Sequence, residues 1–175
     1  MIDNHLLNFA KKNISQNQNE RPNNEITLIV IHNISLPPGQ FNNNNIEDFF
    51  TNRLDSSSHA YFETIKDLKV SAHLLIKRSG EVVQFVAFNK RAWHAGESSF
   101  KSRNNCNDFS IGIELEGSDN ITYEPVQYKE LNKIISILKS NYPIADIVGH
   151  SDIAPGRKTD PGDSFEWSKI NETTK

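Results

Sequence analysis

Residues 26–32, ITLIVIH, constrain this chain more than any other stretch. The run is mostly β-branched and has no polar face, so as a strand it must be covered on both sides. That places it centrally in a sheet that carries further layers on each face. Asn33 ends the run, and Pro37-Pro38-Gly39 forces a loop because proline has no N–H for a ladder. After the polar stretch FNNNN, the spacing of Ile46, Phe49, Phe50 and Leu54 predicts a short helix. Residues 72–86 read as two short strands joined by a tight turn at Ser79-Gly80. Strict alternation in FSIGIELE, residues 109–116, predicts another strand. The longest helix is expected from Pro125 to Tyr142, with Tyr128, Leu131, Ile134, Ile135, Leu138 and Tyr142 along one stripe. A last strand, residues 146–150, leads into SDIAPGRKTDPGDS, whose prolines and glycines argue against regular structure. Irregularly alternating strands and helices predict an α/β fold: a single domain with a central mixed β-sheet flanked by helices.

A length of 175 residues suits one such domain. Residues 1–25, polar apart from Leu6, Leu7 and Phe9, read as an N-terminal arm, and residues 26–170 as the domain proper. The net charge of −3 argues against holding nucleic acid by phosphate neutralisation. The single cysteine, Cys106, cannot form an internal disulfide, which fits a reducing compartment. No stretch is apolar enough to span a membrane, and the first twenty residues lack a signal-peptide core. A soluble, cytoplasmic protein is the expectation.

Chemistry is expected where elements end, since ligands of open α/β sheets gather beyond strand ends. His32 closes the first strand, His150 closes the last, and Asp160 follows ten residues later. Two histidines and a carboxylate would hold a metal ion with one position left for water. The alternative is that these are satisfied or exposed histidines, the commoner state of such residues. In FSIGIELE, period two separates Ile111, Ile113 and Leu115 from Ser110, Gly112, Glu114 and Glu116. The second face combines small residues with acids, as does a solvated sheet face or a site holding a proton acceptor. Periodicity leaves Glu114 and Glu116 open, although Glu114 lies further from the Gly117 turn. Lys158 is either a solvated loop lysine or a cation for a developing oxyanion, and Arg157 a surface group. Trp93 and His94 either line a sugar-binding wall or belong to the core. His73 suits the core or the support of a ligand, and His5 and His59 carry no argument.

Five strings, VIHNISLPPGQF, VSAHLLIKRSGEVVQFV, KRAWHAGESSF, CNDFSIGIELEG and GHSDIAPGRKTDPG, occur in this order. Together they resemble the zinc-dependent N-acetylmuramoyl-L-alanine amidases, relatives of phage endolysins and peptidoglycan-recognition proteins. More narrowly they are similar to the cytoplasmic branch that acts on 1,6-anhydro-muropeptides in cell-wall recycling. The resemblance covers roughly residues 20–170 and implies a mixed sheet with zinc in a surface cleft. It implies one zinc ion per chain, held by His32, His150 and Asp160, with Glu114 as proton acceptor and Lys158 stabilising the transition state. Asn33, Trp93, His94 and Ala154 fall in stretches near the substrate. The chain departs from common family residues at Ser151, Gly156, Lys69 and Asn105, the last two weakening a grip on peptide carboxylates.

The expected activity is hydrolysis of the amide between the lactyl group of N-acetylmuramic acid and L-alanine. A muropeptide is then the partner, with no nucleic acid, membrane or obligate protein partner implied. Two alternatives stand beside it: a non-catalytic peptidoglycan-fragment binder, and a broad-specificity lytic or envelope amidase.

Overall fold

The computed structural model describes residues 1–170. Six strands make the central sheet: β1 (Lys11–Lys12), β2 (Leu28–Ile34), β3 (Leu74–Ile76), β4 (Val82–Gln84), β5 (Ser110–Glu116) and β6 (Asp146–Gly149). Their spatial order is β6-β2-β5-β3-β4-β1. Only β3 and β4 pair antiparallel; the other neighbours are parallel, so the sheet is mixed as expected. The helices are α1 (Asn45–Phe50), α2 (Ala60–Ile65), α3 (Pro125–Asn141) and the single turn α4 (His150–Ile153). Among the described residues no helix is long and apolar enough to cross a membrane.

Both faces of β2 are covered, which is why its sequence has no polar side. Ile29 and Ile31 join Ile111, Ile113 and Leu115 of β5 beneath α3, which contributes Tyr128, Leu131, Ile134, Ile135 and Leu138. Each such aliphatic side chain contributes roughly 1.5–3 kcal/mol on full burial. The opposite residues, Leu28 and Val30, meet Ala95, Cys106, Phe109 and Ile153. A third cluster packs α1 and α2 on the β3–β4 hairpin through Phe49, Phe50, Phe62, Leu75, Val83 and Phe85.

Several boundaries differ from expectation. Strand β2 continues through Asn33 and Ile34, because Leu115 and Glu116 of β5 supply partners for both. Helix α1 stops at Phe50 and not Leu54: Asn52 takes a left-handed φ of 59°, which an asparagine tolerates and a continuing helix does not. The α2 turn has too few apolar residues to show in the pattern; the His59 ring caps it by accepting the Tyr61 N–H. Strand β6 stops at Gly149, one residue before the expected end, and His150 opens α4, whose remaining residues were expected to lack regular structure; the Asp152 carboxylate accepts the Gly149 N–H at 2.7 Å. The hairpin turns where expected, and Gly80 supplies the positive φ, 87°, that its turn demands.

The first 25 residues lie along the body of the protein. Leu7 is fully buried, β1 adds an edge strand beside β4, and residues 18–20 pair antiparallel with residues 90–92. The buried Arg21 guanidinium donates to the carbonyls of Phe88, Asn107, Asp108 and Ser110, tying the segment to the start of β5.

Candidate active site

Register puts three polar residues in a row. In the parallel ladders Glu114 pairs with His32, and Gly149 pairs with Ile31, so His150 emerges beside His32. Three adjacent strands therefore present His150, His32 and Glu114 at their C-terminal ends. His150 and Glu114 line a cleft of about 690 Å³ whose wall also includes Asp160, Lys158, Asn33, Trp93 and His94, and the buried His32 lies against His150 and Asp160. Leu36, Phe49, Tyr61 and Leu68 make its apolar end.

Asp160 reaches the histidines because its loop is pinned from below. Asn33 donates both amide hydrogens, to Pro161 O at 3.0 Å and Asp119 Oδ1 at 2.8 Å. The Tyr123 hydroxyl donates to the same Pro161 carbonyl at 2.7 Å, and Ser151 N–H to Asp160 O at 3.0 Å. Phe165 anchors the far end against Tyr123 and Tyr128.

At the centre, His32 Nδ1 lies 2.9 Å from His150 Nδ1 and 3.1 Å from Asp160 Oδ2, and His150 Nδ1 lies 3.0 Å from the same oxygen. The protons on these rings follow from what surrounds them. His150 Nε2 faces the Ala95 carbonyl at 3.1 Å, which can only accept, so Nε2 carries the hydrogen and Nδ1 is bare. Ser110 donates its hydroxyl to Cys106 O and so accepts from His94 Nε2 at 3.1 Å. His94 Nδ1 is then bare and accepts from His32 Nε2 at 2.9 Å, which leaves His32 Nδ1 bare as well. Two ring lone pairs and a carboxylate oxygen thus converge with no proton between them. Such an arrangement is repulsive until a cation occupies it. Nitrogen and oxygen ligands about 2.0–2.1 Å from a tetrahedral ion lie roughly 3.3 Å apart, close to the spacing seen here. The donor set therefore fits a metal site. Burial holds His32 down to a pKa of about 4, and burial likewise holds His73 and His94 well below the usual histidine range.

The two acids of β5 separate clearly. Glu116 is fully buried, and its oxygens accept the backbone N–H of Asn42 at 2.7 Å and of Arg78 at 2.9 Å. It fastens two loops to the sheet. Glu114 lines the cleft, and its buried Oε2 has no hydrogen-bond partner among the described residues. Burial, reinforced by the charge of Asp160 and opposed by Lys158, pushes its pKa well above the ordinary carboxyl range. A carboxyl group raised in this way is suited to exchanging protons near neutrality.

Lys158 is exposed on the rim of the same cleft. Trp93 stands half-buried in the wall with its Nε1 donating to Asn19 Oδ1 at 2.7 Å. His94 reaches the cleft, but both its ring nitrogens are committed within the protein. Ala154 is not brought into this cleft; with Asn105 it lines a neighbouring depression of about 530 Å³. Lys69 borders a third, small depression behind Phe49. Arg157 is exposed, as read from sequence, and its guanidinium also donates to the Ala95 and Glu97 carbonyls, clamping their loop to the Asp160 loop. Nothing in its flanking residues signals this, because both acceptors are main-chain atoms sixty residues away. Asp119 is likewise unmarked in sequence, yet it receives Asn33, Thr159 and the Ser164 N–H.

The sequence profile of the N-acetylmuramoyl-L-alanine amidase family matches residues 22–163. The 1,6-anhydro-N-acetylmuramyl-L-alanine amidase AmpD of Citrobacter freundii is 49% identical over 173 residues, 97% of this chain and 92% of the relative. A crystal structure of a selenomethionine AmpD derivative superposes with a TM-score of 0.95 at 50% identity, covering 97% of each chain. The Escherichia coli amidase AmiD, solved in complex with the substrate anhydro-N-acetylmuramic acid-L-Ala-D-γ-Glu-L-Lys, superposes with a TM-score of 0.59 at 29% identity, covering 89% of this chain and 58% of that one.

Proposed function

The chain belongs to the N-acetylmuramoyl-L-alanine amidase family, and from that premise we propose that it hydrolyses the amide between the lactyl group of 1,6-anhydro-N-acetylmuramic acid and L-alanine in muropeptides, as part of cell-wall recycling. One observation carries the reading: the acceptors of His32, His150 and Asp160 converge at a cleft also lined by Glu114, whose buried Oε2 has no partner among the described residues. His32, His150 and Asp160 would hold one zinc ion per chain, two imidazoles and a carboxylate being a donor set that suits catalytic zinc. When bound, zinc supplies Lewis-acid polarisation of a carbonyl and acidification of water.

The chain's own residues do the rest. Glu114, which lines the cleft, accepts the proton of the attacking water. It then returns that proton to the departing alanine nitrogen, without which the amine is a poor leaving group. Lys158 brings a positive charge to the oxygen that becomes anionic as the carbonyl turns tetrahedral. The apolar end of the cleft, with Leu36, Tyr61 and Trp93, excludes water and offers flat surface to a sugar ring. Its buried, unpaired cysteine suits the cytoplasm as the working compartment.

Incubation with an anhydromuropeptide, followed by mass spectrometry, tests the reaction. Free peptide and free anhydro-sugar are expected, with one zinc per chain by elemental analysis. Substrate that is bound yet recovered intact would instead make the protein a muropeptide-binding module.

A further inference from the structure

We propose that His94 is a positioning residue for the metal centre: it fixes the His32 tautomer that leaves Nδ1 free to ligate, and Ser110 fixes His94 in turn. The inference rests on the reading of His32, His150 and Asp160 as metal ligands.

A neutral imidazole carries its single hydrogen on either nitrogen, and only the tautomer with Nδ1 bare can ligate through Nδ1. His32 has no backbone carbonyl to settle this choice, unlike His150, whose Nε2–H meets Ala95 O. Its Nε2 faces another imidazole, His94 Nδ1, at 2.9 Å. Two facing imidazoles share one hydrogen and can run in either direction. In the reverse direction His94 donates, His32 Nε2 is bare, and a hydrogen on Nδ1 points into the ligand cluster. What breaks the tie lies one residue further on. The Ser110 hydroxyl donates to the Cys106 carbonyl, a buried acceptor, and so must accept from His94 Nε2. Direction therefore passes from a main-chain carbonyl through Ser110 and His94 to the ligand.

Strand β5 is built around this ring. A Cβ on Gly112 would lie 2.4 Å from His94 Cγ, so only glycine lets the imidazole rest on the strand. Ser110, Gly112 and Glu114, consecutive on one face of β5, thereby orient His94, admit it, and supply the proton acceptor beside it. Both His94 nitrogens are used in this relay, which leaves neither free for a sugar hydroxyl.

Zinc affinity, measured by competition with a chromophoric chelator, and the melting temperature of the metal-free protein test the proposal together. His94→Phe removes the acceptor while keeping a ring and is expected to weaken zinc binding by about 10–100-fold. His94→Asn places an amide oxygen near the Nδ1 position and is expected to recover most of that loss, while Ser110→Ala should fall between. A folded His94→Phe protein with wild-type zinc affinity would overturn the proposal. Should that variant fail to fold, two-bond ¹H–¹⁵N spectra of the metal-free wild type read the tautomers directly. Protons on Nε2 of both His32 and His94 are expected, and a proton on His94 Nδ1 would refute the relay whatever the metal does. Wild-type protein that binds zinc no better than His32→Ala would bring down the metal centre and this inference together, whereas the spectra test the tautomers independently of the ion.

Discussion

Glu114 and Glu116 sit two residues apart on one face of one strand, and substituting them should produce opposite phenotypes. Glu116→Ala removes the acceptor of the Asn42 and Arg78 N–H groups. A partly buried donor left without a partner costs about 1–3 kcal/mol, so two together cost about 3 kcal/mol. For a domain of this size each kcal/mol moves the melting temperature by about 2–4 °C, which predicts a fall of about 6–12 °C. Glu114→Gln takes nothing from the fold. Among the described residues its Oε2 has no partner to lose, and burial already penalises the ionised form. A carboxyl whose pKa is raised on folding weakens the native state once the pH exceeds its unfolded value, so a neutral amide should leave stability at pH 7 unchanged or improved. Turnover should drop by about 10²–10⁴-fold, the usual contribution of a general acid–base group. Calorimetry and a peptide-release assay on both variants, run below the Glu116→Ala transition, separate the roles. An active Glu114→Gln protein beside a stable but inactive Glu116→Ala protein would reverse the assignment and refute the reasoning from hydrogen-bond partners.

Asp160→Ala should lose both zinc and activity, and full zinc occupancy by elemental analysis would count against Asp160 as a ligand. Lys158→Ala should keep zinc and lose roughly a hundredfold in kcat, the typical effect of removing one oxyanion-stabilising group; an unchanged kcat would return the lysine to solvent. Chelator-treated protein should lose stability as the pH falls below about 6.5. There the unfolded chain takes up protons that the buried His73 and His94 refuse, at up to about 1.4 kcal/mol per pH unit for each ring. Denaturant midpoints measured from pH 8 to pH 5 check the sign, and stability that rises on acidification would contradict it. Arg157→Ala should loosen the loop carrying Asp160 by removing its clamp on Ala95 and Glu97, seen as faster amide exchange across residues 95–97 and 154–160 and unchanged exchange in β2.

Much of this architecture is legible in sequence because it rests on local periodicity. The unbroken apolar run of β2, the alternation of β5 and the stripe of α3 each report what covers them, since side-chain direction is set by the strand or helix repeat itself. The candidate ligands are legible for a related reason: His32 and His150 lie near the C-terminal ends of strands and Asp160 in the loop that follows, where a fold of this class opens to solvent. Asp119 and Arg157 were illegible, because their partners lie tens of residues away and involve loop atoms that obey no period. The α2 turn escaped for lack of length, and the end of α1 turned on one left-handed asparagine.

The amino-acid order alone determined the layered mixed sheet, the strand ends that bear imidazoles, and a β5 face of two small residues and two acids. It could not choose between those acids, nor tell His94 in a substrate wall from His94 in the core. Tertiary structure sets the two acids apart by their partners and commits both His94 nitrogens within the protein, for one physical reason. Which atoms of a carboxyl or imidazole are satisfied depends on groups delivered by distant segments: Asn42 and Arg78 for Glu116, none for Glu114 Oε2, and Ser110 and His32 for His94. Periodicity sets the direction of a side chain, whereas its chemistry is set by what the rest of the chain places at its tip.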